Sequence, residues 1–207
     1  MRRMAPRRTP LAPLAALFVM TGCLSRPMLV SRFSIDPPAP RAAASPLGVV
    51  LTLARVEVEP LYSGQSLVYR TGDHGLWRDP YAGFGAPPGW LLASAIRGYL
   101  ANADFVRDVV APGAGTPSQA TVEVAVIELS GHLDHRHSSS ALTLRFRVLS
   151  NASGAPERPD ILLKTYSKTI SIPRATAKEV VNGWNQGLAE IMAELQADLR
   201  DALTVTR

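Results

Sequence analysis

The sequence predicts an α+β fold: a single domain in which a mainly antiparallel sheet of about five to six strands is packed by two helices, over about 89–102 and 176–203. Three observations predict it. Runs rich in β-branched residues recur along the chain. The last three of these are joined by connections of about ten residues, which suit antiparallel neighbours better than crossovers. Two other segments carry an apolar period of 3.6 in place of alternation.

The elements follow in order. Gly48 to Glu59, GVVLTLARVEVE, places Leu51 and Leu53 on one face and then Val56 and Val58, and the change of phase at Arg55 fits a bulge. Pro60 ends that strand. Ser66 to Arg70 reads as a second strand, and Gly72-Asp73-His74-Gly75 as a turn leading into Leu76-Trp77-Arg78. Pro87-Pro88 opens the first helix, because the first N–H groups of a helix have no intrahelical partner to lose, and Leu92, Ala95, Ile96, Tyr99 and Leu100 recur at helical spacing. Phe105 to Val110 returns as a strand. Three strands follow, from Ala120 to Leu129, Ala141 to Leu149 and Ile161 to Ile172. In the second of these, Leu142 to Val148 alternates apolar and polar residues, as a sheet with one wet face requires. Thr176 and Glu179 form a capping box ahead of the stripe Val180, Val181, Trp184, Leu188, Ile191, Met192, Leu195 and Leu199. The opposite face is acidic, which suits docking on the sheet and not lying on a membrane.

Cys23 is the only cysteine in the 207 residues, so no internal disulfide staples the fold. An unpaired cysteine is commonly a small buried hydrophobe. Its surroundings point elsewhere. Residues 1–9 carry Arg2, Arg3, Arg7 and Arg8 without an acid, and Leu11 to Met20, LAPLAALFVM, is uncharged. A basic region followed by about 7–15 apolar residues is a secretory signal, too short to span a bilayer. Met20-Thr21-Gly22-Cys23 resembles the bacterial lipobox, with Met20 where Leu is usual. Cleavage between Gly22 and Cys23, with acyl chains such as palmitate on Cys23, is expected, and Leu24 in place of Asp favours sorting to the outer membrane. The expected organisation is a signal peptide over 1–22, a lipidated N-terminus and proline-rich tether over 23–47, and the domain over 48–207. Arg32-Phe33-Ser34-Ile35 reads as a short strand within the tether. The chain holds 22 Lys and Arg against 17 Asp and Glu; without the four arginines of 1–22 the balance is 18 to 17. That near-neutral remainder argues against a nucleic-acid partner.

Gly131-His132-Leu133-Asp134-His135-Arg136-His137 gathers three imidazoles, so His132, His135 and His137 are weak candidates for zinc or copper ligands. They fall where a hairpin tip is expected, with no distant ligand motif to complete a shell. No G-x-S-x-G, H-E-x-x-H, P-loop or G-x-G-x-x-G motif is present, so no enzyme and no cofactor is expected. The candidate partner-binding residues are Tyr69, Arg70, Trp77, Asp79, Tyr81, Phe84 and Trp90, since clustered aromatics with arginine serve recognition surfaces as well as cores.

Leu67-Val68-Tyr69-Arg70, Asp79-Pro80-Tyr81-Ala82-Gly83-Phe84, Pro87-Pro88, Gly98-Tyr99-Leu100 and Phe105-Val106-Arg107-Asp108-Val109, in this order behind a lipobox, resemble the ABC-type transport auxiliary lipoprotein family, which includes the paraquat-inducible C-type lipoproteins. The similarity covers roughly residues 31–203. Gly85-Ala86, Gly89 and the His-rich turn depart from it. The resemblance implies a non-catalytic lipoprotein, anchored in the outer membrane and facing the periplasm. Its partners would be an ABC permease-ATPase and a mammalian-cell-entry-type protein that bridges the membranes to carry phospholipid, and it could self-associate. The alternatives are an assembly lipoprotein that binds another envelope protein, or a metal binder using the histidine turn.

Overall fold

A computed structural model describes residues 30–38, 48–72, 74–134, 137–152 and 159–205. The strands are β1 (Ser31–Phe33), β2 (Val49–Val58), β3 (Ser66–Thr71), β4 (Gly75–Phe84), β5 (Val106–Val110), β6 (Ala120–His132), β7 (Ser139–Ser150) and β8 (Asp160–Ser171). The helices are α1 (Pro88–Ala101) and α2 (Ala177–Val205). The α+β class and the two helices agree with the sequence. Among the described residues, eight strands join one mixed sheet, more than the five or six expected.

Residue by residue the ladders are mainly antiparallel, through β3 with β4, β6 with β7 and β7 with β8. The remaining joins, β1 with β4, β2 with β5, β2 with β6 and β3 with β6, are parallel. They link strands distant in sequence, which local pattern does not reveal. β6 is the hub. β7 pairs along the whole of one edge, while the other edge takes β2 at Ala120 to Val126 and then β3 at Gly131 and His132. Beyond β6 the sheet therefore forks, one branch running to β5 and the other through β4 to β1. The bulge expected near Arg55 is present, because β2 spends three steps from Leu53 to Val56 where β6 spends two from Val122 to Val124.

Both helices lie on one face. The α2 stripe from Val180 to Leu199 is buried against Val122, Val124, Leu142, Leu144 and Phe146. Its approach is close because glycines face the sheet. A Cβ on Gly183 would lie 2.4 Å from Ser140 Oγ, and one on Gly131 would lie 2.7 Å from the Tyr69 ring and 3.0 Å from Val180. At this closeness the Trp184 indole N–H donates to the carbonyls of Ser130 and Ala141, both at 3.1 Å, and the Ser140 hydroxyl donates to the Val180 carbonyl at 2.8 Å. The acidic face of α2 meets lysines of β8. Asp198 accepts from Lys164 at 2.7 Å and from the Tyr166 hydroxyl at 2.6 Å, and Lys168 pairs with Glu194. In the capping box the Glu179 N–H donates to Thr176 Oγ1 at 3.3 Å.

α1 packs on β2, and its first turn rests on that strand. A Cβ on Gly89 would meet the Val56 carbonyl and Val58 Cγ2, each at 3.2 Å, which accounts for a glycine where the family pattern is bulkier. Within the expected tether, β1 pairs with β4, Ile35 is buried and the Asp36 N–H donates to Asn185 Oδ1 at 2.9 Å. The chain is thus fastened to both layers before β2 begins.

Gly131→Ala is expected to destabilise the domain by about 1–3 kcal/mol, the usual cost of overpacking a filled core. Denaturant unfolding monitored at Trp184 checks this, and a neutral effect would mean that α2 can lift off β6 at no cost.

Candidate functional site

Tyr69 and Arg70 of the resemblance lie at the fork, paired with Gly131 and His132. The bulge between Val126 and Glu128 shifts the alternation of β6 by one residue. Leu129 and Gly131 therefore point to the helices, and Glu128, Ser130 and His132 share the opposite face. Glu128 Oε1 accepts from Arg70 Nε at 3.1 Å and from Ser130 Oγ at 2.8 Å, and lies 3.3 Å from His132 Nε2. Arg70 also donates to the Tyr62 hydroxyl at 2.9 Å, tying in the turn after β2. Burial pushes the Glu128 carboxyl up, but the hydrogen bonds from Ser130 and His132 and the Arg70 charge outweigh it and hold the group below the ordinary carboxylate range.

On the helix side of β3, Tyr69 is buried and stacks on Trp77, with ring centroids 5.2 Å apart. Its hydroxyl donates to Asp79 Oδ2 at 3.1 Å, and Asp79 Oδ1 accepts the N–H groups of Tyr81 and Ala82 at 2.8 and 3.0 Å. Burial, with the Asp79 carboxylate alongside, pushes the phenol of Tyr69 well above its usual value. Phe84 is in the core against Trp184, centroids 5.7 Å apart. Of the seven candidate partner-binding residues, Tyr69, Arg70, Asp79 and Phe84 thus have internal partners. Trp77 and Tyr81 are each 46% exposed and Trp90 is 72% exposed.

Trp90 stands over a groove of about 390 Å³ that it lines with Arg55, Val58, Ser63 and Pro87. A second hollow, of about 540 Å³, opens on the sheet face away from the helices, with Ala54 and Ala125 among its lining and Arg55, Arg145 and Arg147 around them. Its Arg147 is already held by Asp160 at 2.7 Å. Leu76, 49% exposed beside Trp77, was not singled out by the sequence although it stands next to that candidate; Tyr62 and Glu128 were missed because their partnership with Arg70 spans the fork.

His132 is a residue of β6 and not of the hairpin tip, because β6 runs three residues beyond the expected end at Leu129. It faces Glu128, and with the exposed His137 it lines a hollow of about 530 Å³ that also holds Arg70 and Asp134. His135 lies outside the described residues, as do Gly22 and Cys23. Among the described residues no three His, Cys, Asp or Glu side chains converge on a metal position. No helix among them is long and apolar enough to cross a membrane.

Because the Glu128 carboxyl is held low in the folded chain, its contribution is present above the unfolded value, near pH 4.3, and is lost as pH falls through the folded value. Glu128→Gln is expected to lower stability at pH 7 by about 1 kcal/mol, or roughly 2–4 °C in Tm. The gap to wild type should narrow as the pH falls below the unfolded value and close as it passes through the lower folded value. A gap that persists unchanged in acid would show that the ionised carboxylate is not what Arg70 holds.

Comparison with known proteins agrees with this architecture. The structure superposes on the crystal structure of a DUF330-family protein from Xanthomonas campestris with TM-score 0.69 and 12% identity, covering 80% of this chain and 92% of that one. It superposes on the crystal structure of an uncharacterized protein with TM-score 0.64 and 14% identity, covering 83% and 99%. At such identities the likeness is one of fold. The sequence has no match among curated proteins. A family model does match, over residues 33–196, a span that runs from the last residue of β1 through the fork and most of α2. The chain belongs to the family of ABC-type transport auxiliary lipoprotein components.

Proposed function

We propose that this protein is the outer-membrane-anchored, periplasmic auxiliary lipoprotein of an ABC-type system that carries lipid between membranes, held by acyl chains on Cys23 after cleavage behind Gly22. The observation that carries the reading is the family match over 33–196 in a chain whose start, a basic and apolar leader ending in Thr21-Gly22-Cys23, has the form a lipoprotein requires. Two or more acyl chains hold a protein on a membrane stably where one does not. The domain then docks the periplasmic bridge, a mammalian-cell-entry-type protein working with an ABC permease-ATPase, and no bond is made or broken.

With Tyr69, Arg70, Asp79 and Phe84 engaged inside the domain, Trp77, Tyr81 and Trp90 are the exposed candidates, and the protein contact is assigned to Trp90, the most exposed of them, and its groove. An exposed tryptophan over a groove whose walls mix Val58 and Pro87 with Arg55 and Ser63 is the kind of anchor that dominates interface energies. Truncating such a residue costs about 2 kcal/mol or more, roughly 30-fold in affinity.

The test is affinity isolation from detergent-solubilised envelopes. Wild type should recover a mammalian-cell-entry-type protein or an ABC permease, Trp90→Ala should recover far less, and Cys23→Ser should appear unprocessed or released from the outer membrane. Recovery of neither partner, or of an unrelated assembly factor, contradicts the transport reading. Unchanged mass and fractionation of Cys23→Ser contradict the anchor.

A further inference from the structure

We infer that the edge of β4 bearing Leu76, Trp77 and Tyr81, with Val30 beside it, rests at headgroup depth on the phospholipid surface that holds the anchor; this rests on the lipidation of Cys23 proposed above. Seven large apolar side chains are exposed among the described residues, and these are four of them. Their grouping follows from the sheet. Ser31 pairs in parallel with Ala82, so Val30 stands beside Tyr81, and the chain enters β1 from the end of β4 where Leu76 and Trp77 lie.

Chain length sets which side of the domain meets the membrane. Val30 lies seven positions after Cys23, a reach of at most roughly 25 Å. A domain of about 160 residues is roughly 40 Å across. A tether shorter than the body it holds cannot bring the far side to the bilayer, so the side where the chain enters must face it. That side carries the exposed aromatics.

The chemistry of the edge fits such a surface. Trp and Tyr favour the boundary between headgroups and acyl chains, where an apolar ring and a polar tip are both accommodated. The one acidic residue between His74 and Phe84 is Asp79, and both its oxygens are turned inward, to Tyr69 and to the amides of Tyr81 and Ala82. Among the described residues, β1 covers the outer edge of β4 only from Ala82 to Phe84. Bare backbone polar groups on the rest of that edge would be costly in hydrocarbon but not among hydrated headgroups, which sets the depth. Trp90 lies in the separate groove beside Val58 and Pro87 and remains free for protein.

The test uses the full chain purified from envelopes and reconstituted into phosphatidylcholine and phosphatidylglycerol vesicles with brominated acyl chains. Bromine should quench wild type and Trp90→Phe by the same absolute amount, and Trp77→Phe should lose most of that quenching. The double variant Trp77→Phe, Tyr81→Trp should regain it, which guards against a folding defect in the single variant. Intact mass reports the acyl chains on Cys23 independently. An acylated protein whose Trp77→Phe variant is quenched like wild type, or in which Trp90→Phe alone abolishes quenching, overturns the proposal and leaves the anchor standing. An absence of acyl mass on Cys23 overturns both.

Discussion

One strand with three neighbours organises the molecule. β6 is 13 residues, about 43 Å at the usual rise, long enough to offer one edge to two different partners. β2 takes the first half and β3 the end, and the gap between them has to be filled. The bulge at Ile127 fills it by turning Glu128, Ser130 and His132 to the face opposite the helices, where Arg70 and Tyr62 reach them from the other branch. The same bulge restores Leu129 and Gly131 to the helix face, where Tyr69 and Val180 close over Gly131. A single inserted residue therefore sets both the polar seam and the seat of α2.

The family motifs acquire physical reasons from this arrangement. The tyrosine of the Tyr-Arg pair lies under α2 and fixes Asp79, and Asp79 in turn holds the two amides that follow Pro80. The arginine crosses the fork. Both are positioning groups of the scaffold, and the aromatic surfaces left to meet other molecules are Trp77, whose inner face stacks on Tyr69, together with Tyr81 and Trp90.

The secondary structure was largely legible in the sequence. β-branched runs marked the strands, the capping box marked the start of α2, and the loss of phase at Arg55 marked a real bulge. The branching was not legible, because the parallel joins of β3 and β2 to β6 involve residues some 60 positions apart whose pairing leaves no local trace. β4 extends to Phe84 although Pro80 and Gly83 interrupt its pattern, and Gly83 is there because a Cβ would strike the Gln65 carbonyl at 2.6 Å. The histidine turn was misplaced because β6 continues past Leu129 to His132. Among the candidate aromatics, only packing separates Tyr69 and Phe84, buried, from Trp77, Tyr81 and Trp90, exposed.

The account divides the exposed aromatics between two surroundings, lipid at the β4 edge and protein at the start of α1. The most direct measurement is a photoreactive amino acid placed in turn at positions 77 and 90 of the full chain in living cells, with the adducts identified by mass. The account predicts phospholipid adducts at 77 and protein adducts at 90. Protein adducts at 77 with lipid at 90, or the same adduct at both, would contradict it.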